Sequence, residues 1–218
     1  MSYLTREMSI AAIFRMKQFH QDIADVYDQY DMNILDNLGR RNIVMSQTQE
    51  KFFSDELSAF YEGVINDGKT GQPDIVVNEL GKELECKLTS RHKGGAISFQ
   101  TDHQTLRQKG ELDYLYVIAD EDFKKFAVLH FQDLTIDDFR PVSNGSRGKA
   151  AMYKYKGMKK CNVLVGDAVN KNEENLKKIA DRLRNVNLTD NKRKKLLARQ
   201  KYWQTTPPKY TYVLEDIR

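Results

Sequence analysis

The chain has 218 residues, 40% hydrophobic and 10% aromatic, enough for one core with elaborations or a core plus a small subdomain. Lys and Arg outnumber Asp and Glu by only 35 to 31, so the net charge of +4 does not by itself point to a polyanionic partner. Two distant cysteines and four scattered histidines exclude a disulfide framework and a zinc cluster, and no membrane-length apolar run or leader pattern is present, so a reducing cytoplasm is expected.

In residues 5–35, Ile13, Met16, His20, Ile23, Tyr27, Tyr30 and Ile34 recur at three-four spacing. This predicts one helix, or two broken near residues 31–33, whose stripe packs on a sheet or forms a dimer contact. A second helix is expected to start at Ser46, with Gln49 completing a capping box. Phe53, Leu57, Phe60 and Val64 would form its buried stripe, and Asn66-Asp67-Gly68 would end it. Glu50 lies on that stripe. A carboxylate there is costly unless paired or metal-bound, and the alternative is a first-turn glutamate complementing the helix dipole. Glu56 and Glu62 are the alternative carboxylates on this helix.

Residues 73–87, PDIVVNELGKELECK, read as two alternating strands around a polar turn. Asp74, Val76 and Asn78 share one face of the first; Glu83, Glu85 and Lys87 share one face of the second. A four-residue loop, 79–82, would pair Asn78 with Glu83 and Asp74 with Lys87, so that Asp74, Glu85 and Lys87 converge. A loop one residue longer or shorter would separate them. Two carboxylates beside an ammonium suit a hard cation, which takes oxygen ligands and polarises phosphate, while the amine orients the attacking water. Further along, residues 96–100 read as a strand, 102–109 as a helix ended by Gly110, and 113–119 as a buried strand. Residues 146–160 carry Arg147, Lys149, Lys154, Lys156, Lys159 and Lys160 without an acid, and taken alone the run reads either as a solvated face or as a loop that could enter a groove and bind phosphates. Helices over 172–183 and 189–202 follow, the second bearing Lys192, Arg193, Lys194, Lys195, Arg199 and Lys201. This second basic cluster reads either as a phosphate-binding surface or as a solvated face. The final YTYVLED alternates like a short strand.

Asp74, Glu85 and Lys87 fall on the signature positions of the PD-(D/E)XK nuclease superfamily, and the chain resembles its type II restriction endonucleases over roughly residues 46–132. The resemblance implies an α/β fold with a restriction-endonuclease-like core, α-β-β-β-α-β, its mixed sheet flanked by helices and carrying helical N- and C-terminal elaborations. The division expected is 1–45 helical, 46–140 nuclease core and 141–218 DNA-binding elaboration. It further implies Mg²⁺, with Mn²⁺ as a substitute, held by Asp74 and Glu85 with Glu50 as a further ligand, and Lys87 positioning or activating water. Glu83, on the same face as Glu85, departs from the pattern as a competing or supporting carboxylate. The substrate implied is double-stranded DNA cut at a short specific sequence, a reaction that favours a homodimer. Similar enzymes carry a polar cluster after the catalytic strand, here Gln100, Asp102, Gln104 and Lys109. Arg91, Lys93, Gln104, Asn144, Arg147, Lys149, Lys154, Lys156, Lys159 and Lys160 are the candidate DNA contacts, with Arg147 as the base reader. The alternatives are a structure-selective resolvase or repair nuclease, and a non-catalytic DNA-binding protein that keeps the fold.

Overall fold

The structure, a computed structural model, describes residues 2–69, 72–90, 97–142 and 148–218. The chain forms two compact units, one of residues 1–167 with 213–218 and one of residues 168–212.

In the larger unit, helix α1 (Arg6–Asp28) is capped by the Thr5 side chain, which accepts from the Met8 N–H, and buries Met8, Ala12, Ile13, Met16 and His20. It ends at Gln29, and Asp31 takes a left-handed φ of +54° in the turn beyond. Of the expected stripe, Tyr30 is therefore exposed and Ile34 is buried outside the helix. Helix α2 (Leu38–Ser58) is capped nine residues before the expected cap: Asn37 accepts from the Arg40 N–H, and the Ser46 hydroxyl donates to the Ile43 carbonyl inside the helix. The buried face runs Arg41, Met45, Thr48, Gln49, Phe53, Leu57. Arg41, only 1% exposed, interrupts the apolar pattern and so hides the true start of the helix. It is satisfied by the Asp120 and Glu121 carbonyls and the Ser90 hydroxyl. The helix also stops earlier than expected. Phe60 is 67% exposed, and Val64 belongs to strand β1 (Val64–Ile65), because Gly63, at φ +66°, turns the chain back toward the sheet.

Next come β2 (Ile75–Val77), β3 (Lys82–Ser90), β4 (Gln100–Asp102), α3 (His103–Lys109), β5 (Glu111–Ala119), β6 (Lys125–Thr135), β7 (Lys149–Ala151), α4 (Lys154–Gly157) and β8 (Cys161–Val165). Asp102 caps α3 and Gly110, at φ +80°, closes it. In the smaller unit, β9 (Asp167–Asn170) leads into α5 (Lys171–Leu183), α6 (Asp190–Thr205) and β10 (Tyr210–Val213), after which β11 (Glu215–Asp216) returns to the larger one.

The main sheet runs β1-β2-β3-β5-β6-β11, with β8 also on β6. All its pairs are antiparallel except β3 with β5, whose parallel pairing needs the crossover supplied by β4 and α3. One face buries Val77, Leu84, Cys86, Leu115, Val117 and Val128 beneath Ile13 and Met16 of α1 and Met45, Phe53 and Leu57 of α2. The opposite face carries Tyr114, Tyr116 and Phe131, with Phe99 and Phe139 packed on them. The fold is thus α/β, a mixed sheet flanked by helices. In chain order the elements run α2-β1-β2-β3-β4-α3-β5, one strand more than the expected α-β-β-β-α-β, because Val64 and Ile65 form a strand where the helix was expected to continue. The strand expected over 96–100 is instead β4. It leaves the main sheet to pair with β7, because Phe99 packs against Tyr116 and Phe131 on the sheet face.

The smaller unit is a helical hairpin closed by the β9–β10 ribbon. Its polar pivot is Asn172, buried, whose amide donates to the Trp203 and Thr206 carbonyls while its oxygen accepts from the Lys209 N–H.

Candidate active site

Strands β2 and β3 pair with Ile75 opposite Leu84, Val76 opposite Glu83 and Val77 opposite Lys82. The connection is a 3-10 turn, Asn78–Leu80, closed by Gly81 at φ +60°. The loop has four residues, as expected, but starts one residue earlier, which moves the pairing by two. A shift of two preserves which side chains share a face. One step further along this ladder, Asp74 stands opposite Glu85, not Lys87.

The three signature side chains do come together. The Lys87 Nζ donates to Glu85 Oε1 at 2.5 Å and lies 3.9 Å from Asp74 Oδ2. The same Asp74 oxygen accepts the Cys86 backbone N–H at 2.7 Å, which fixes the carboxylate at the end of the ladder. Burial raises the Asp74 carboxyl, as does the charge of Glu85, against the opposing effects of Lys87 and the Cys86 N–H. Burial pulls the Lys87 ammonium down, but Glu85 and Asp74 outweigh it and its pKa ends above the usual lysine value. Lys87 is therefore held protonated.

Glu50 joins this group electrostatically. Half-buried on α2, its carboxyl is pushed up to about 7, by burial first and then by Asp74, with Lys87 opposing and Glu85 adding to the rise. Three carboxylates thus share a partly dehydrated region with one ammonium, an excess of negative charge that a cation would offset. Among the described residues no three His, Cys, Asp or Glu side chains are gathered as a preformed metal cage. Mg²⁺ does not require one, since one or two carboxylates with waters and substrate phosphate usually hold it. Asp74 and Glu85, which already flank the charge of Lys87, fit that donor set.

A cavity of about 280 Å³ opens on this face, lined by Glu85 and Lys87 together with Gln100, Asp102, Tyr116 and Lys149. Tyr116 lines it because the parallel pairing sets Tyr116 beside Lys87, with the fully buried Tyr114 beside Glu85. The two rings are stacked 6.1 Å apart. Tyr116 donates to the Gln100 carbonyl at 2.6 Å and the Tyr114 hydroxyl meets Thr101 Oγ1 at 2.5 Å, which pins β4 over the sheet. Lys149 reaches the cavity because β7 pairs with β4, opposite Asp102. The tyrosines and Thr101 were not read as site residues from the sequence. Their alternation was visible there, but their neighbour across the sheet was not.

Glu83 is paired with Lys109 at 2.8 Å, beside a separate cavity that includes Lys82, Glu111 and Asp113, so it does not join Glu85. Glu56 faces Arg15 at 3.7 Å and Glu62 is exposed, and neither is among the charges that perturb Asp74. Gln104 is exposed on α3. The basic segment is not one open loop: Lys149 lies on β7, Lys154 and Lys156 on α4, and Lys159 and Lys160 on a 3-10 turn. Lys156 donates to the Asp137 carbonyl, and Lys160 binds Asp138 at 2.8 Å and the Asp133 carbonyl, so both lysines already serve the fold. Burial, then Arg140, holds Lys154 below the usual lysine value. Lys159 is exposed. Arg91, Lys93, Asn144 and Arg147 lie outside the described residues. Among the described residues no helix is long and apolar enough to cross a membrane. No family model matches the chain, and no curated protein matches its sequence.

Proposed function

We propose that this chain is a Mg²⁺-dependent endonuclease of the PD-(D/E)XK type, which hydrolyses duplex DNA at a short specific sequence as a homodimer, Mn²⁺ serving in place of Mg²⁺. The observation that carries the reading is the meeting of Asp74, Glu85 and Lys87 at one end of the β2–β3 ladder, beside a cavity open to substrate. Asp74 and Glu85 would hold the cation, with Glu50 as a third carboxylate in the same field. The cation supplies Lewis acidity toward the phosphate and acidifies water.

The chain's own groups do the rest. Lys87, kept protonated by Glu85 and Asp74, acts as a fixed positive charge where charge builds on the phosphate oxygens and as a donor that orients water. It is not a free base. The Cys86 N–H holds Asp74 in position without using a second side chain. The Tyr114 and Tyr116 hydroxyls keep β4 in place, and with it the wall that carries Gln100 and Lys149.

Incubation of the purified protein with plasmid and genomic DNA, with Mg²⁺ or with EDTA, tests the proposal. Discrete, reproducible fragments that depend on the metal are expected. Smears, or cutting of branched DNA only, would favour a structure-selective nuclease. Binding without cutting would end the catalytic reading.

A further inference from the structure

The charge of the chain is unevenly divided. Residues 168–212 hold twelve of the 35 Lys and Arg but only four of the 31 Asp and Glu. The rest of the chain, with 23 basic and 27 acidic residues, is net negative. The unit that bears the candidate active site therefore has no net attraction for a polyanion, and the smaller unit carries all of the net positive charge.

Within the smaller unit, a cavity of about 660 Å³ is lined by Arg182 of α5 and by Lys192, Lys195 and Arg199 of α6, over Leu188 and Leu196. Lys192, Lys195 and Arg199 are spaced i, i+3, i+7 and so share one helix face. At 1.5 Å per residue they span about 10 Å, the axial length of about three phosphates along one strand. The local carboxylates do not neutralise them. Glu174 is paired with Lys171 and Lys178, and Asp181 with Arg184. Among the described residues Arg182, Lys192, Lys195 and Arg199 form no ion pair, and all four are exposed. Their aliphatic stems can lie over the leucines while the charged heads stay free.

We infer that the α5–α6 unit grips the phosphate backbone of duplex DNA through Arg182, Lys192, Lys195 and Arg199, independently of base sequence. The inference rests on the nuclease reading for the identity of its ligand and assigns the holding of substrate to a surface other than the cutting site. A backbone grip of this kind positions the duplex and leaves sequence choice to other residues.

The test is fluorescence anisotropy with a labelled duplex of arbitrary sequence, in EDTA so that nothing is cut, over a range of salt concentrations. The variant R182Q/K192Q/K195Q/R199Q is compared with wild type and with K124Q/K125Q, a neutralised pair on the larger unit. We expect the quadruple variant to bind at least about tenfold more weakly at low salt, with a log–log salt slope shallower by about 0.9 for each phosphate that is no longer neutralised, while K124Q/K125Q matches wild type. Circular dichroism should be unchanged, since all four side chains are exposed. Unchanged affinity and slope in the folded quadruple variant would overturn the inference and leave the nuclease reading standing. So would wild-type binding of anionic vesicles or polyglutamate as tight as its binding of duplex at the same salt. Wild-type protein that binds duplex with the expected slope but cuts nothing in Mg²⁺ would remove the nuclease reading and keep this one.

Discussion

The molecule carries charge in two contrasting ways. At the β2–β3 ladder Asp74, Glu85 and Lys87 are largely withdrawn from water and locked to one another, with side chains 20–34% exposed. On α6 the lysines and Arg199 stand in solvent without ion-pair partners among the described residues. The first arrangement perturbs its own titration and depends on short distances, so a single substitution should be severe and salt should matter little. The second acts through summed charge, so single changes should be mild, combined changes cumulative and salt decisive. Both patterns are expected of an enzyme that separates chemistry from the capture of a polyanion.

The largest effects should come from the first region. Asp74→Asn and Glu85→Gln should each lower Mg²⁺-dependent cleavage by at least about 10²–10³-fold, the scale seen when one aligned electrostatic group is removed. Duplex affinity in EDTA should stay the same or tighten as a negative charge disappears. Single-turnover rates beside anisotropy measure both, and near-wild-type cutting by either variant would break the assignment.

Next is Lys160, which the sequence grouped with the DNA contacts and the structure ties to Asp138. Lys160→Ala should leave the buried Asp138 carboxylate with only the Thr135 N–H to satisfy it and cost about 1–3 kcal/mol of stability, read by denaturant unfolding. The exposed neighbour Lys159→Ala should change stability by no more than about 0.5 kcal/mol. Equal stabilities for the two variants would remove the distinction between a structural and a solvated lysine.

The pH dependence is smaller and graded. The Glu50 carboxyl is raised from its ordinary value near 4.5 to about 7, so the folded state holds a proton that the unfolded chain has released between those values. Stability should therefore fall as pH rises through that window, and Glu50→Gln should flatten the fall. If Glu50 serves the cation, cleavage should rise up to about tenfold per pH unit below 7 and then level off. Mg²⁺ should raise the melting temperature at pH 8 more for wild type than for Glu50→Gln. A Glu50→Gln variant with the wild-type pH profile and the same Mg²⁺ response would return Glu50 to a role in α2 alone.

The site was legible in the sequence to the extent that it depends on parity. Alternation along β2 and β3 put Asp74, Glu85 and Lys87 on one side whatever the register, provided that the shift was even. The pairing itself differs from the expected register by two residues, because neither the 3-10 turn nor the left-handed Gly81 is marked by hydropathy. Helix α2 departs from its expected bounds at both ends for a related reason. Arg41 looks like a surface residue until Ser90 and the carbonyls of Asp120 and Glu121, distant in sequence, are known to receive it. Phe60 and Val64 keep helical spacing by chance across the turn at Gly63.

The sequence by itself determined the local matters: the capped helices α1 and α3, the buried strand β5, the two C-terminal helices, and the shared face of the three charged residues. These follow from hydrophobic period, capping side chains and glycine, all of which act over a few residues. The tertiary structure alone decided which elements became neighbours: β1 completing the three-stranded edge, β4 leaving the sheet for β7, Tyr114 and Tyr116 lying beside Glu85 and Lys87, and Lys149 reaching the cavity. It also separated the lysines that bind the fold from those left free. Such pairings depend on contacts between residues far apart in the chain, where shape, burial and the satisfaction of polar groups compete, and no local pattern encodes the outcome of that competition.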